Sequence, residues 1–158
     1  MKLILFTLAL HLFASGVVLA DPERDLLASD LKKAVVKLDM ESIDKLYSWK
    51  GVHEIHRDQE WMSWEQTLKS VKGRKFVGVE WVPASEMEEF LKDFALRGVA
   101  VRGRLHRPNL AVKGAFEVRW EEKAGSNVHI FWVLAGKDEE GKWRAAATTV
   151  EKLEDAKR

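Results

Sequence analysis

Along residues 110–120, LAVKGAFEVRW, the apolar positions Leu110, Val112, Phe116, Val118 and Trp120 fall on one side with Gly114, while Lys113, Glu117 and Arg119 fall on the other. A period of two held over that length predicts one strand with a buried face. Gly114 breaks the packing surface, and an interior glycine marks a bulge or a bend. The segment is expected to be a long, curved strand, the spine of an antiparallel sheet.

Upstream the period is helical. Leu27, Leu31, Ala34, Val35 and Leu38 predict a first amphipathic helix, with Asp21 as its cap and Pro22 in its first turn. Asp39 caps a short second helix that carries Ile43, Leu46 and Tyr47 on one face and ends at Gly51. Residues 52–59 read as a polar loop, and Trp61, Trp64, Leu68 and Val71 place a third helix over 60–72. The period changes at Lys75, where FVGVEWV predicts a strand closed by Pro83. Ser85 and Glu88 form a capping-box pattern for a helix with the stripe Met87, Phe90, Leu91 and Phe94, ended by Gly98. Residues 99–106, 128–135 and 143–150 read as further strands, with hairpin loops over 123–127 and 136–141 and a charged tail over 151–158. Helices ahead of hairpin-linked strands make an α+β domain whose helices cover one face of a curved antiparallel sheet.

Residues 1–20 stand apart. Lys2 precedes an almost unbroken apolar run over 3–14, and Val18, Leu19 and Ala20 lead to the polar Asp21-Pro22-Glu23-Arg24. This is a signal-peptide pattern and predicts a secreted or periplasmic protein whose single domain spans 21–150. An uncleaved membrane anchor is the alternative; His11, Ser15 and Gly16 weaken such a span, so no membrane contact is expected after cleavage. The absence of cysteine excludes disulfides and a lipoprotein anchor. Without Lys2 the basic residues equal the 25 acidic ones, and this balance argues against a nucleic-acid partner.

The helix pair with Asp39, Ile43, Leu46 and Tyr47, the strand over 110–120 and the closing Gly141-Lys142-Trp143 resemble the NTF2-like superfamily, also called the SnoaL-like or cystatin-like cone. The chain is also similar to bacterial secreted proteins of unassigned function that carry an Asn-Leu-x-Val-x-Gly strand, here residues 109–114. The NTF2-like resemblance implies a hydrophobic pocket between the concave sheet face and the helices. It implies use as a small-ligand binder, a dimerisation module, or an isomerase, dehydratase or hydrolase. No catalytic residue carries over, because no inward carboxylate of a strand stands out as a base, and no cofactor is expected.

Four groups of residues carry candidate chemistry. Trp61, Trp64, Trp120 and Trp132, among seven tryptophans, are candidates to line a pocket for an apolar or aromatic ligand; their packing period fits a plain core equally. Arg102, Arg104 and His106 share a strand phase and could bind an anion, or form a solvated face paired with Glu117 and Glu121. His53, His56 and Asp58 have metal-ligand side chains without a metal-site spacing, and a polar loop accounts for them. Glu80, set in an apolar strand, and Tyr47, the single tyrosine, are weak catalytic candidates as base and phenol donor. The expected function is an exported, non-catalytic ligand-binding or protein-interaction domain. The alternatives are an enzyme of the same fold using an embedded carboxylate, and a structural homodimer.

Overall fold

The computed structural model describes residues 20–122 and 127–153; the leader, most of the 123–127 hairpin loop and the end of the charged tail lie outside the described residues. Asp21 caps α1 (Pro22–Lys37) by accepting from the Arg24 amide, and Leu27, Leu31, Ala34 and Val35 form its buried stripe. Asp39 likewise caps α2 (Met40–Asp44), accepting from the Ser42 amide at 3.0 Å. The second helix is shorter than its apolar spacing predicts. Tyr47 leaves it for β1 (Tyr47–Ser48), which pairs in parallel with the strand at Ala145 and Ala146.

The third helix, α3 (Glu54–Ser70), begins well before residue 60, with the His53 side chain accepting from the Ile55 amide as its cap. The supposed polar loop is therefore its first two turns. Ile55 is exposed there, so those turns lack the apolar spacing by which a helix is read. Next come β2 (Lys75–Pro83) and α4 (Glu89–Arg97). Ser85 lies in a turn rather than at the cap of α4, and Phe90 points to solvent while Met87 and Leu91 are buried.

The segment over 99–106 is two strands, β3 (Val99–Val101) and β4 (Arg104–Pro108). They are joined by Arg102 and Gly103, both at positive φ. A two-residue turn with both centres left-handed matches the twist of its strands, and the alternation of V-A-V-R-G-R-L-H conceals it. The spine, β5 (Val112–Glu121), is followed by β6 (Val128–Lys137), β7 (Trp143–Ala146) and β8 (Thr148–Lys152). The last predicted strand thus breaks at Ala147, and its second half takes in the start of the supposed tail.

Two sheets result, ordered β1-β7-β6-β5-β2 and β3-β4-β8, so that the fold is α+β with an open, largely antiparallel main sheet. Asn109 holds the point where β7 leaves the first sheet and β8 enters the second. Its Oδ1 accepts from the Ala147 amide at 2.9 Å, and its Nδ2 donates to the carbonyls of Ser48 and Lys50 at 2.7 and 3.2 Å.

The spine does not keep one phase. Register shifts between Val112 and Gly114, so Leu110 and Val112 pack with Ala115 while Phe116, Val118 and Trp120 face the opposite way. A bulge adds one residue and inverts the alternation. The face of Phe116, Val118, Trp120, Phe131 and Val133 packs with α1, α2 and α3. The face of Ala115, Leu134 and Ala146 packs with Met87 and α4. Gly114 is needed for packing: a Cβ there would come within 2.6 Å of Trp81 Cη2 and closer still to the Val82 carbonyl oxygen.

Candidate functional site

The sheet face that the tryptophans were expected to line is filled. Trp64 and Trp120 are 1% and 3% exposed, and the Trp64 ring centroid lies 4.5 Å from that of Phe131. Trp132 is paired with Glu117 and packs on the α4 side, so the structure does not bring it to Trp61, Trp64 or Trp120. Trp61 is half-buried on α3.

Glu80 is not embedded. It lies on edge strand β2, its side chain is 70% exposed, and its register partner Glu117 belongs to the sheet face opposite Tyr47. Strand alternation around the bulge at Val77 turns it outward. Glu117, read as solvent-facing, is instead buried and paired with Arg119. Arg102 sits in the β3–β4 turn rather than on a strand face, while Arg104 and His106 share a face opposite Lys152 and Val150 of β8. The neighbours of β4 are β3 and β8, so neither Glu117 nor Glu121 is across from this basic group. His53 caps α3, Asp58 is exposed, and among the described residues no group of three or more His, Cys, Asp or Glu is placed to hold a metal ion.

The carboxylate that does stand near the phenol is Glu60, which the sequence offers only as the start of a helix and as a neighbour of the His53, His56 and Asp58 group. Tyr47, from the start of β1, accepts a hydrogen bond from Trp64 Nε1 at 2.8 Å inside the core. Burial, and then the nearby charge of Glu60, raise the Tyr47 hydroxyl above its ordinary pKa. Glu60 Oε1 accepts from the Thr148 hydroxyl at 3.0 Å and from the Thr148 amide at 3.3 Å. Burial holds the Glu60 carboxyl above its ordinary value of 4.5, against the opposing pull of those two bonds. Its second oxygen takes no hydrogen bond among the described residues.

Two spaces meet at Glu60. A cleft of about 210 Å³ is lined by His56, Gln59, Glu60, Ser63 and Thr148. His56, Gln59, Glu60 and Ser63 recur at three- and four-residue intervals, which places them along one side of α3. His56 Nδ1 lies 3.0 Å from Gln59 Oε1. On the other side lies a cavity walled by Asp44, Tyr47, Trp49, Glu60, Trp61 and Trp64, with about 10 Å³ left inside. That is room for about one water. The site thus offers a carboxylate with one oxygen clamped and one uncommitted, an imidazole, a hydroxyl and an aromatic wall.

A scan against protein-family models finds no match to this chain, and a search of curated proteins finds none either. No helix among the described residues is long and apolar enough to cross a membrane.

Proposed function

We propose that the protein is an exported ligand-binding domain of the NTF2-like kind, and that its site is the α3 cleft centred on Glu60 rather than the sheet face. One observation carries this reading. Glu60 is largely withdrawn from solvent at a cost that the fold does not require, since a glutamine could accept the same Thr148 bonds. A fold that keeps a carboxylate with one oxygen clamped by Thr148 and the other open to solvent at the meeting point of a cleft and an aromatic cavity is consistent with recognition of a ligand that presents a hydrogen-bond donor.

Export is part of the proposal. Asp21, the first residue after the expected cleavage point, is engaged in the fold: it caps α1 and accepts from Trp143 Nε1 at 2.8 Å. A domain boundary at Asp21 fits removal of the leader, and the mass of the protein recovered after export tests it.

The ligand reading is tested by tryptophan fluorescence and melting temperature across a panel of apolar acids, sterols, aromatics, amines and short sugars, with Glu60→Gln as the comparison. A saturable spectral change with a raised melting temperature, weakened in Glu60→Gln, supports it. No response across the panel overturns it and moves the assignment to protein interaction. The raised pKa of Glu60 beside Tyr47 favours a second reading, an isomerase, dehydratase or hydrolase with Glu60 as general base. Turnover of a panel ligand, abolished by Glu60→Gln with binding retained, would select it. Exposed Val128 and Ile130 on the main sheet support the homodimer reading, which sedimentation tests.

A further inference from the structure

We propose that a second copy of this chain adds its β8 to the open edge of β8, antiparallel about Val150, and brings its Lys152 to Glu60. The proposal rests on the reading of Glu60 as the site and names what presents the hydrogen-bond donor there.

The second sheet ends at β8, whose one strand neighbour among the described residues is β4. Two bonds fix which of its backbone groups point outward. The Leu153 amide donates to the Gly103 carbonyl on the β4 side, whereas the Thr148 amide donates away from β4, to Glu60 Oε1. Backbone groups alternate along an antiparallel strand, so Thr149 and Glu151 face β4 with Leu153, while Val150 and Lys152 face outward with Thr148. The outward groups of Val150 and Lys152 have no hydrogen-bond partner among the described residues. The other strand edges are poorer templates. The same alternation turns only Ala100 of β3 outward, and β2 is bulged and ends in Pro83.

Side-chain charge selects the register. With Val150 opposite Val150, Thr148 meets Lys152 of the second copy, Thr149 meets Glu151, and all 5 residues of β8 are paired. A slip in one direction sets Glu151 against Glu151 or Lys152 against Lys152, and like charges directly opposite repel. A slip in the other direction leaves Lys152 without a partner in β8. Residues directly opposite share a sheet face, so the Lys152 side chain of the second copy emerges where the Thr148 hydroxyl already donates to Glu60 at 3.0 Å. The Thr148 amide passes from Glu60 to the Lys152 carbonyl of the second copy, and Glu60 keeps the hydroxyl. The α3 cleft of about 210 Å³ beside Glu60 and Thr148 has space for the incoming ammonium group. Within its own sheet Lys152 stands opposite Arg104, and the neighbours on that face, Val101, His106 and Val150, offer no counter-charge. Glu60 of the second copy supplies one. An edge lysine ordinarily discourages strand pairing; opposite Glu60 it admits a single register. Two-fold symmetry makes the contact twice and joins two three-stranded sheets into one. Val150, which belongs to neither core cluster, then meets its counterpart on the axis.

The test is sedimentation of the intact exported protein over a range of concentrations. Wild type should show a reversible monomer–dimer equilibrium. Val150→Pro removes an outward N–H that the monomer does not use and should abolish the dimer. Lys152→Glu sets like charges against Glu60 and should weaken dimerisation by about tenfold or more; its exposed position makes it the second variant should Val150→Pro lower the melting temperature. Glu60→Gln should weaken dimerisation by about tenfold, since two modest ion pairs are lost per dimer. The chain has no cysteine, so Val150→Cys carries a single thiol. In this register the two Cα atoms at position 150 lie about 5.5 Å apart, within disulfide reach, whereas those at position 151 lie more than about 7 Å apart. Mild oxidation should therefore cross-link Val150→Cys and not Glu151→Cys. A monomer at every concentration, a dimer unmoved by Val150→Pro and Lys152→Glu, or equal cross-linking of the two cysteine variants overturns the proposal. If the protein is monomeric while the ligand panel gives a Glu60-dependent response, the dimer fails alone. If neither is seen, the reading of Glu60 as a site fails with it.

Discussion

The hinge between the two sheets gives the sharpest test of how this fold is held. Asn109→Ala removes three side-chain hydrogen bonds, two to carbonyls and one from the Ala147 amide. Ala147 is 1% exposed, so its N–H is left without a protein or water partner. A buried orphan of this kind costs about 1–3 kcal/mol, and losing the half-buried Ser48 contact adds about 1 kcal/mol; the Lys50 carbonyl, being exposed, rehydrates. The expected loss is about 2–4 kcal/mol. For a domain of this size that corresponds to a melting temperature lower by roughly 5–15 °C. Asn109→Asp separates the atoms. It keeps the acceptor for Ala147 and turns the donor toward Ser48 into a carboxylate oxygen facing a carbonyl. It should be less stable than wild type at neutral pH, through the carboxylate facing the Ser48 carbonyl, and recover part of the loss on acidification. Urea unfolding of the three proteins, read by tryptophan fluorescence at constant slope, measures this. Ala147 precedes Thr148, so the same variants should loosen the clamp on Glu60 and weaken any ligand response. A loss below about 1 kcal/mol in Asn109→Ala would refute the orphaned-amide reasoning, and Asn109→Asp as stable as wild type would refute the part given to the donor toward Ser48.

Three further outcomes are expected. Because burial raises the folded-state pKa of Glu60 above its unfolded value, its stabilising contribution is full below the ordinary carboxylate range and is lost as pH rises through the raised value. Unfolding curves of wild type and Glu60→Gln should therefore converge near pH 4 and diverge upward with the variant the more stable; a constant gap would contradict the assigned burial. Tyr47→Phe strips the acceptor from the buried Trp64 indole and should cost about 1–3 kcal/mol in urea, whereas a cost under about 0.5 kcal/mol would mean that the indole finds another partner. Gly114→Ala drives a methyl against Trp81 and the Val82 carbonyl; it should destabilise by about 1–3 kcal/mol, and a neutral result in thermal melts would show that β2 can shift to accept it.

Much of the fold is legible in residue spacing. The caps Asp21 and Asp39, the α1 stripe from Leu27 to Val35 and the alternation of Phe131 and Val133 against Trp132 and Leu134 all follow from local periodicity and side-chain chemistry. Such features depend on neighbours within a few residues, which is what a sequence pattern records. The misread boundaries share a different cause. The polar first turns of α3, the left-handed Arg102 and the break at Ala147 carry no apolar signal of their own. Long-range partners hold them: α4 against β4, Asn109 at Ala147, Glu60 at Thr148.

The candidate site divides the same way. The sequence alone determined that tryptophan is abundant, that there is one phenol, and that a histidine and a glutamate sit four residues apart at His56 and Glu60. It also determined the charge balance and the leader-like apolar run at the start of the chain. Only the tertiary structure decided which carboxylate stands beside the phenol. Glu80 has more apolar neighbours along the chain, yet edge strand β2 turns it outward; Glu60 lies in a polar stretch, yet Thr148 and Tyr47 close over it from distant segments. Burial depends on what packs across a space, and residues 88 positions apart in sequence set it here.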